Sequence, residues 1–368
     1  MNNDYGFWED YLKKLKKEIR KLCKTKDILL IDLHIHSNYS ADGKQSLNQI
    51  IESTKKQGFD IIAITDHDSV NVYDELYNIL QKGMTVPLII PGIEFTTDNK
   101  EYGNQCHMLQ LFINPKDKEI LKDVETSYNA MFNRSKIQFQ RLKENISIQS
   151  ILKQEKIKIS YKEYLKYLED NSLIPEYDTL MFYLIDKFKQ RNVTTFKLLE
   201  ILEKDNEKDC YEDRKEYKRK RFKKLREKYL ENDKNNYNSR FLLSMLAVRE
   251  VDDDWWPKPS SGSLSVNSYG QLKPNEINKK FKIFFAHPSE KSLDAVKKIL
   301  KENKNIIGLE NNIRNKYENI GKFYDLLKEN NLLLIKGSDS HDDSLAFYDN
   351  MDFYKIGSEE ILKIIKRI

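Results

Sequence analysis

The chain contains six histidines, and every one falls in a short motif that also carries a carboxylate or sits at the edge of an apolar run. Asp32-Leu33-His34-Ile35-His36 is followed shortly by Asp42-Gly43. Thr65-Asp66-His67-Asp68, Pro91-Gly92-Ile93-Glu94, Cys106-His107, Ala286-His287-Pro288 and Gly337-Ser338-Asp339-Ser340-His341 complete the set. In an extended segment alternate residues point the same way, so His34 and His36 can present both imidazoles to one ion. A lone histidine at a strand end is most often a satisfied core or surface group. Six together, with Asp42, Glu94 and Asp339 beside them, make nine groups of the kind that bind transition metals. Mixed imidazole and carboxylate ligands suit Mn, Fe or Zn better than Mg, which prefers oxygen and retains water. Two such ions can generate a bridging hydroxide near neutral pH and clamp phosphate oxygens through an in-line displacement. Metal-assisted hydrolysis, that of phosphate esters included, is the chemistry these residue types permit.

The elements that must position these groups can be read from hydrophobic pattern. Apolar runs of strand length lie at Ile28 to Leu33, Ile61 to Thr65, Leu88 to Glu94, His107 to Ile113, Lys282 to Ala286, Ile306 to Glu310 and Leu332 to Lys336. Between them stand patterns such as KSLDAVKKILKEN, with apolar residues at helical spacing. Strands alternating with helices imply parallel pairing, in an α/β barrel or an open α/β sheet. Parallel barrels carry their catalytic groups at the carboxyl ends of the strands, where most of the histidine motifs fall. His107 is the exception, since it opens its run.

From Gly103 to Gly262 no glycine intervenes and prolines are few, so residues 115–250 read as a helical insertion. The expected organisation is an N-terminal amphipathic helix over 1–26, a barrel formed by 27–114 and 276–368, the insertion, and a loop over 251–275 returning to the barrel. The apolar side of the first helix is expected to pack on the barrel rather than lie on a membrane.

Composition excludes other classes. Charged residues form 33 % of the chain and hydrophobic ones 39 %, unlike a membrane-spanning or disordered protein. Three scattered cysteines argue against a disulfide framework, and the acidic N-terminus does not read as an export signal, so a cytoplasmic protein is expected. There is no GxxxxGK[ST] loop, GxGxxG, CxxC pair or GxSxG elbow to anchor nucleotide-triphosphate, dinucleotide, zinc-ribbon or serine-hydrolase chemistry.

In their order, DLHIHSNYSADG, AITDHD, PGIEF, CHMLQL, FAHP and GSDSH closely resemble the motifs of the PHP (polymerase and histidinol phosphatase) family of metal-dependent phosphoesterases. The resemblance implies a distorted, TIM-like (β/α)7 barrel of seven strands, with the insertion added to it. It also implies two or three divalent ions at the strand ends. One would be held by His34, His36, Glu94 and Asp339; Glu94 would bridge to a second on His107 and His287; a third would sit among Asp42, His67 and His341. Asp66, His67 and His341 are candidates to protonate the leaving alkoxide. Either Asp66 or Asp68 can orient His67, or Asp66 can simply end its strand.

Substrate is the less determined part. Arg314, Arg134 and Arg141 are candidates to hold the non-reacting phosphate oxygens. Residues 214–228, RKEYKRKRFKKLREK, hold ten Lys or Arg against two Glu, a local +8 within a chain whose net charge is only +5. Lys218, Arg219 and Arg221, with Tyr217 and Phe222 between them to stack on bases, could track a polyanion. The competing reading is a solvated helix face, and acidic flanks favour it. A nucleotide or an oligonucleotide end is the expected substrate. A histidinol-phosphate-type phosphatase and a non-catalytic nucleic-acid or partner-binding scaffold are the alternatives, the last opposed by the intact set of nine ligands. Trp255 and Trp256 are read as flanking the same mouth or anchoring the loop.

Overall fold

A computed structural model describes residues 4–40, 42–82, 87–99, 104–171, 173, 175, 177–207, 212–230, 271–289, 292–313, 320–341 and 350–368. The chain divides into two compact units, Met1–Ala130 with Gly270–Ile368, and Met131–Tyr269.

Among the described residues the first unit has eight strands: β1 (Ile28–Ile35), β2 (Ile61–Ile64), β3 (Leu88–Asn99), β4 (Asn104–Leu111), β5 (Ile283–Phe285), β6 (Ile306–Asn312), β7 (Leu333–Gly337) and β8 (Lys355–Gly357). They form one sheet in the order β7-β6-β5-β4-β3-β2-β1-β8. The sheet curls until its distant members meet: Ile35 bridges Ser340 in parallel, the Asp339 N–H donates to the His34 carbonyl at 2.9 Å, and the His36 N–H donates to the Ser340 carbonyl at 3.0 Å. The result is a curled α/β sheet.

Its pairing is mixed, where seven parallel strands were expected. β1, β2 and β3 pair in parallel, as do β5, β6 and β7, but β4 is antiparallel to both β3 and β5. Only four residues separate β3 from β4, far fewer than the dozen or so that a parallel crossover requires. β8 adds an eighth strand, antiparallel to the start of β1; a three-residue Lys-Ile-Gly segment carries too little pattern to be read beforehand.

Alternation along the strands divides the core. Leu29, Ile31, Ile61, Ala63, Leu109 and Ile335 belong to a cluster on one face, together with Leu15 and Ile19 of α1 (Asp4–Thr25). Ile62, Ile64, Ile93 and Phe95 face the other way, onto α2 (Leu47–Lys56) and α3 (Val72–Gln81) and the helices Leu293–Glu302 and Ile320–Glu329. α2 illustrates the local logic. Ser46 and Gln49 form a reciprocal capping box, and Leu47, Ile50, Ile51 and Thr54 recur at the spacing of one buried face. α1 buries Trp8 completely, and its Tyr11 hydroxyl donates to the Ile89 carbonyl at 2.8 Å, so its apolar side is spent on the sheet. Among the described residues no helix is long and apolar enough to cross a membrane.

The described part of the second unit is helical. α4 (Lys118–Glu144) runs into it, followed by α5 (Ile146–Gln154), α6 (Tyr161–Asp170), α7 (Tyr177–Lys189), α8 (Thr195–Asn206) and α9 (Glu212–Leu230). Leu142, Ile151, Tyr164, Leu184 and Leu199 are among the side chains of its core.

Because Trp8 is wholly enclosed, Trp8→Ala is expected to cost about 3–5 kcal/mol, read as a lower urea midpoint. An unchanged midpoint would show that α1 lies outside the cooperative unit.

Candidate metal centre

Residues on or just beyond six strands, β1, β2, β3, β4, β5 and β7, meet at one rim of the sheet. His34 lies at the end of β1 and His36 just beyond it, where the pairing with β2 shifts register between Asp32 and Ile35. Asp32 Oδ1 accepts the N–H groups of His34 (3.2 Å) and Ser338 (3.0 Å), tying the ends of β1 and β7 together. His67 follows β2, and Glu94 lies within β3. His107 reaches the same rim because β4 is antiparallel: it pairs opposite Thr96, two residues beyond Glu94. β4 starts at Asn104, three residues before the expected start at His107, and its reversed direction brings His107 to the histidines that follow the other strands. His287 follows β5 with φ of 28° and Asp339 follows β7 with φ of 52°, left-handed conformations costing on the order of 1–3 kcal/mol each. Such turns re-aim side chains at a point where regular strand geometry would not.

His34 Nε2 lies 2.9 Å from His36 Nε2, and both lie close to Glu94 Oε2, at 2.9 and 3.0 Å. Asp339 Oδ1 completes the group at 3.5 Å from His34 and 3.2 Å from His36. Glu94 turns its second oxygen, Oε1, to His107 Nδ1 (3.1 Å) and His287 Nε2 (3.2 Å), and those two nitrogens are 3.2 Å apart. On the other side, Asp42 Oδ2 is 2.8 Å from His341 Nε2 and 3.7 Å from His67 Nε2, while His67 Nδ1 is 3.4 Å from Glu94 Oε2. Ligating atoms of His34, His36, Glu94 and Asp339 all fall within 4.8 Å of one another, as do those of His36, Asp42, His67 and His341, and those of His67, Glu94 and His107. The structure therefore brings all nine predicted ligand residues together, and it adds His36 to the group around Asp42.

These donors fit a cation. The two Nε2 atoms at 2.9 Å cannot hydrogen-bond each other if both carry lone pairs, and both imidazoles have a partner for a proton on Nδ1. Ser40 Oγ donates to Asp42 Oδ1 at 2.9 Å, which leaves it to accept from His36 Nδ1 at 3.2 Å. The same hydroxyl accepts the His67 N–H at 3.2 Å. His67 Nδ1 is buried with no hydrogen bond among the described residues. Positive charge is what this volume favours. Although burial alone would drive a proton from His36, Asp339 and Glu94 raise it to about 10. His34 is likewise raised well above the usual imidazole range, against its burial, by Glu310, Glu94 and Asp339. The surrounding histidines hold Glu94, Asp42 and Asp339 below the usual carboxylate range despite burial. His67 is pushed down to about 3, chiefly by burial.

Other predicted residues have different surroundings. Asp66 does not face His67: its oxygens accept the N–H (2.6 Å) and hydroxyl (2.7 Å) of Ser37, and burial raises it to about 6. Asp68 accepts the Thr96 N–H at 3.1 Å, and burial also raises it to about 6. Arg134 and Arg141 lie on α4 in the second unit; Arg134 is buried and its Nε makes no hydrogen bond among the described residues, whereas Arg141 is half-buried. On α9, Arg219 grips Glu207 through Nε (2.9 Å) and Nη2 (2.7 Å) and reaches Glu212 at 3.1 Å, and Arg226 holds Glu203 at 2.8 Å. Lys220 pairs with Glu216 at 2.8 Å. Phe222 packs into the core of its unit and is not available to stack on a base. Arg314, Trp255, Trp256 and the side chains of Lys218 and Arg221 lie outside the described residues.

Glu310 is the functional candidate that pattern reading passed over. It is fully buried at the end of an apolar run, both of its oxygens stand 3.0 Å from His34 Nδ1, and the only signal was a carboxylate at a strand end with no histidine beside it.

A model of the PHP domain family matches residues 32–234. No curated protein matches the chain. Among solved structures, a Bifidobacterium adolescentis protein named for an inferred metal-dependent phosphoesterase activity aligns at 18 % identity over 85 % of this chain and 87 % of its own, with a TM-score of 0.47. A Chromobacterium violaceum amidohydrolase, with sulfate bound and no metal, aligns at 14 % identity over 89 % and 98 %, also with a TM-score of 0.47. A two-domain Bacteroides vulgatus protein containing a predicted PHP-like metal-dependent phosphoesterase aligns at 12 % identity over 88 % of this chain and 55 % of its own, with a TM-score of 0.35.

Because Glu94 faces histidines through both oxygens, Glu94→Ala is expected to lose most of the metal that the wild type retains on dialysis, measured by plasma mass spectrometry, with far-ultraviolet circular dichroism unchanged. Wild-type metal content in the variant would remove Glu94 from the centre.

Proposed function

The chain belongs to the PHP domain family, and from that membership we propose that it is a metal-dependent phosphoesterase that hydrolyses a phosphate ester of a nucleotide or of an oligonucleotide end. The observation that carries the reading is the pair of imidazole Nε2 atoms 2.9 Å apart, facing the same carboxylate oxygen of Glu94. His34, His36, Glu94 and Asp339 would hold one cation, Glu94, His107 and His287 a second, and Asp42, His67 and His341 a third. Divalent cations, when bound, supply an activated water for attack at phosphorus and neutralise charge on the phosphate oxygens.

The chain's own groups do the remaining work. Glu94 keeps the first two groups of ligands in register by sharing its carboxylate between them. With the third group unfilled, His341 stands beside Asp42 as the imidazole placed to protonate a leaving alkoxide, since burial keeps His67 unprotonated; when the group is filled both would become ligands. Asp66, with both oxygens engaged by Ser37, holds the loop that carries Ser40 and Asp42 rather than moving a proton.

Within the proposed substrate range, the described residues favour the nucleotide over a longer strand. Arg219, Lys220 and Arg226 are committed to glutamates, and Phe222 is buried, so α9 has less to offer a polyanion than its composition suggests.

Turnover of a small panel tests the reading: a 3′,5′-bisphosphate nucleotide, short 5′-phosphorylated RNA and DNA, and histidinol phosphate, each with metal content measured in parallel. Hydrolysis of the nucleotide is expected, and His34→Ala and Asp339→Ala are expected to abolish it while remaining folded. Bound metal with no turnover of any ester would sink the phosphoesterase reading. Preference for histidinol phosphate would move the substrate to the small-metabolite class.

A further inference from the structure

We propose that Glu310 is a positioning residue of the metal centre: it holds the His34 proton on Nδ1 and fixes the backbone turn at His287, so that one buried carboxylate aims two imidazoles. The inference rests on the proposed metal centre and assigns a residue that lies outside the nine ligands.

Its geometry is that of an acceptor throughout. Both oxygens stand 3.0 Å from His34 Nδ1, Oε2 accepts the His287 N–H at 2.7 Å, and Oε1 accepts from Asn312 Nδ2 at 3.0 Å. A neutral imidazole has one N–H. With Glu310 accepting it at Nδ1, the lone pair is left on Nε2, the nitrogen that faces His36, Glu94 and Asp339. The two ring nitrogens point away from each other, so Glu310 lies behind the ring and cannot share a cation bound in front of it. A carboxylate in that place raises the basicity of the imidazole and fixes its plane.

The second contact acts on the main chain. His287 is a non-glycine residue with φ of 28°, a conformation that persists only when its surroundings hold it. Glu310 binds its N–H, and His287 Nε2 then reaches Glu94 Oε1 at 3.2 Å. The neighbouring strand leaves room for the arrangement. A Cβ at Gly337 would overlap His34 Cβ and come within 2.5 Å of Glu310 Oε1, so the pair crosses bare backbone. One residue on β6 thus connects β1 with the turn after β5, and it passes close to the bare backbone of Gly337.

Glu310→Gln tests the assignment, because it keeps the volume and replaces one acceptor by a donor. Zn²⁺ affinity, measured by competition with a chelator, is expected to fall about 10–100-fold in a variant that remains folded by far-ultraviolet circular dichroism. The Nδ1–H correlation of His34 in ¹⁵N-histidine NMR spectra of the Zn²⁺ form is expected to be present in the wild type and shifted or lost in the variant. Wild-type affinity and an unchanged correlation in Glu310→Gln would overturn the proposal. Should the variant not fold, the wild-type spectrum alone decides, since a His34 that carries its proton on Nε2, or none on Nδ1, contradicts it. A wild type that binds Zn²⁺ but hydrolyses no ester, with binding still weakened by Glu310→Gln, would overturn the phosphoesterase reading and leave the role of Glu310 standing. A wild type that binds no Zn²⁺ overturns both.

Discussion

The arrangement at the rim of the sheet depends on one electrostatic constraint: several acceptor groups converge on a volume too small for all of them to remain uncompensated. His34 and His36 turn their Nε2 atoms toward each other across 2.9 Å, with Glu94 and Asp339 oxygens around them. Removed from water, such a group of lone pairs and carboxylates is costly unless positive charge neutralises it. Protons can supply that charge, as the raised affinities of His34 and His36 indicate, and a divalent cation supplies more of it at one point. The left-handed backbone at His287 and Asp339 and the register shift in β1 are local departures from ideal geometry that converge on this same volume.

Holding the acceptors there is the task of the sheet and of a layer of hydrogen bonds behind it. Curling brings β7 against β1, so that Asp339 and His341 arrive beside His36 although they are some three hundred residues away in the chain. The antiparallel β4 delivers His107 to a rim otherwise formed by strand ends. Behind the imidazoles, Glu310 takes the far nitrogen of His34 and Ser40 that of His36, while Ser37 and Asp66 anchor the loop leading to Asp42. The His34 and His36 imidazoles are thus backed by a carboxylate and by a hydroxyl whose own proton goes to Asp42, an arrangement that favours one tautomer and one plane for each ring.

The helical unit shows how composition and structure can diverge. A segment of ten cations and two glutamates suggests a polyanion surface, yet Arg219 and Arg226 are paired with Glu203, Glu207 and Glu212. Exposed pairs of this kind contribute little to stability, but they reduce the unpaired charge available to a ligand. Phe222 faces the core instead of offering a stacking surface.

Much of the site was legible because metal-ligating chemistry leaves dense local signals: His34-x-His36, Asp66-His67-Asp68 and Asp339-x-His341 each concentrate donors at the end of an apolar run, and the first, second and seventh runs are strands close to where they were expected. Glu310 and Ser40 were not singled out, since a single Glu or Ser beside a strand has no local mark that distinguishes it from any other. Parallel pairing was expected throughout, and the short link before β4 decided otherwise. By itself the sequence determined which side chains could bind metal and in what order they follow along the chain, because residue type and alternation are local properties. Only the tertiary structure decided that β4 runs backwards, that Asp66 turns to Ser37, that Glu310 stands behind His34 and that Arg219 is paired. The Asp66 and Glu310 contacts join residues far apart in the sequence, whereas the hairpin before β4 and the Arg219 pairs are short-range; in each case residue type alone does not encode which partner a buried hydrogen bond or an ion pair will find.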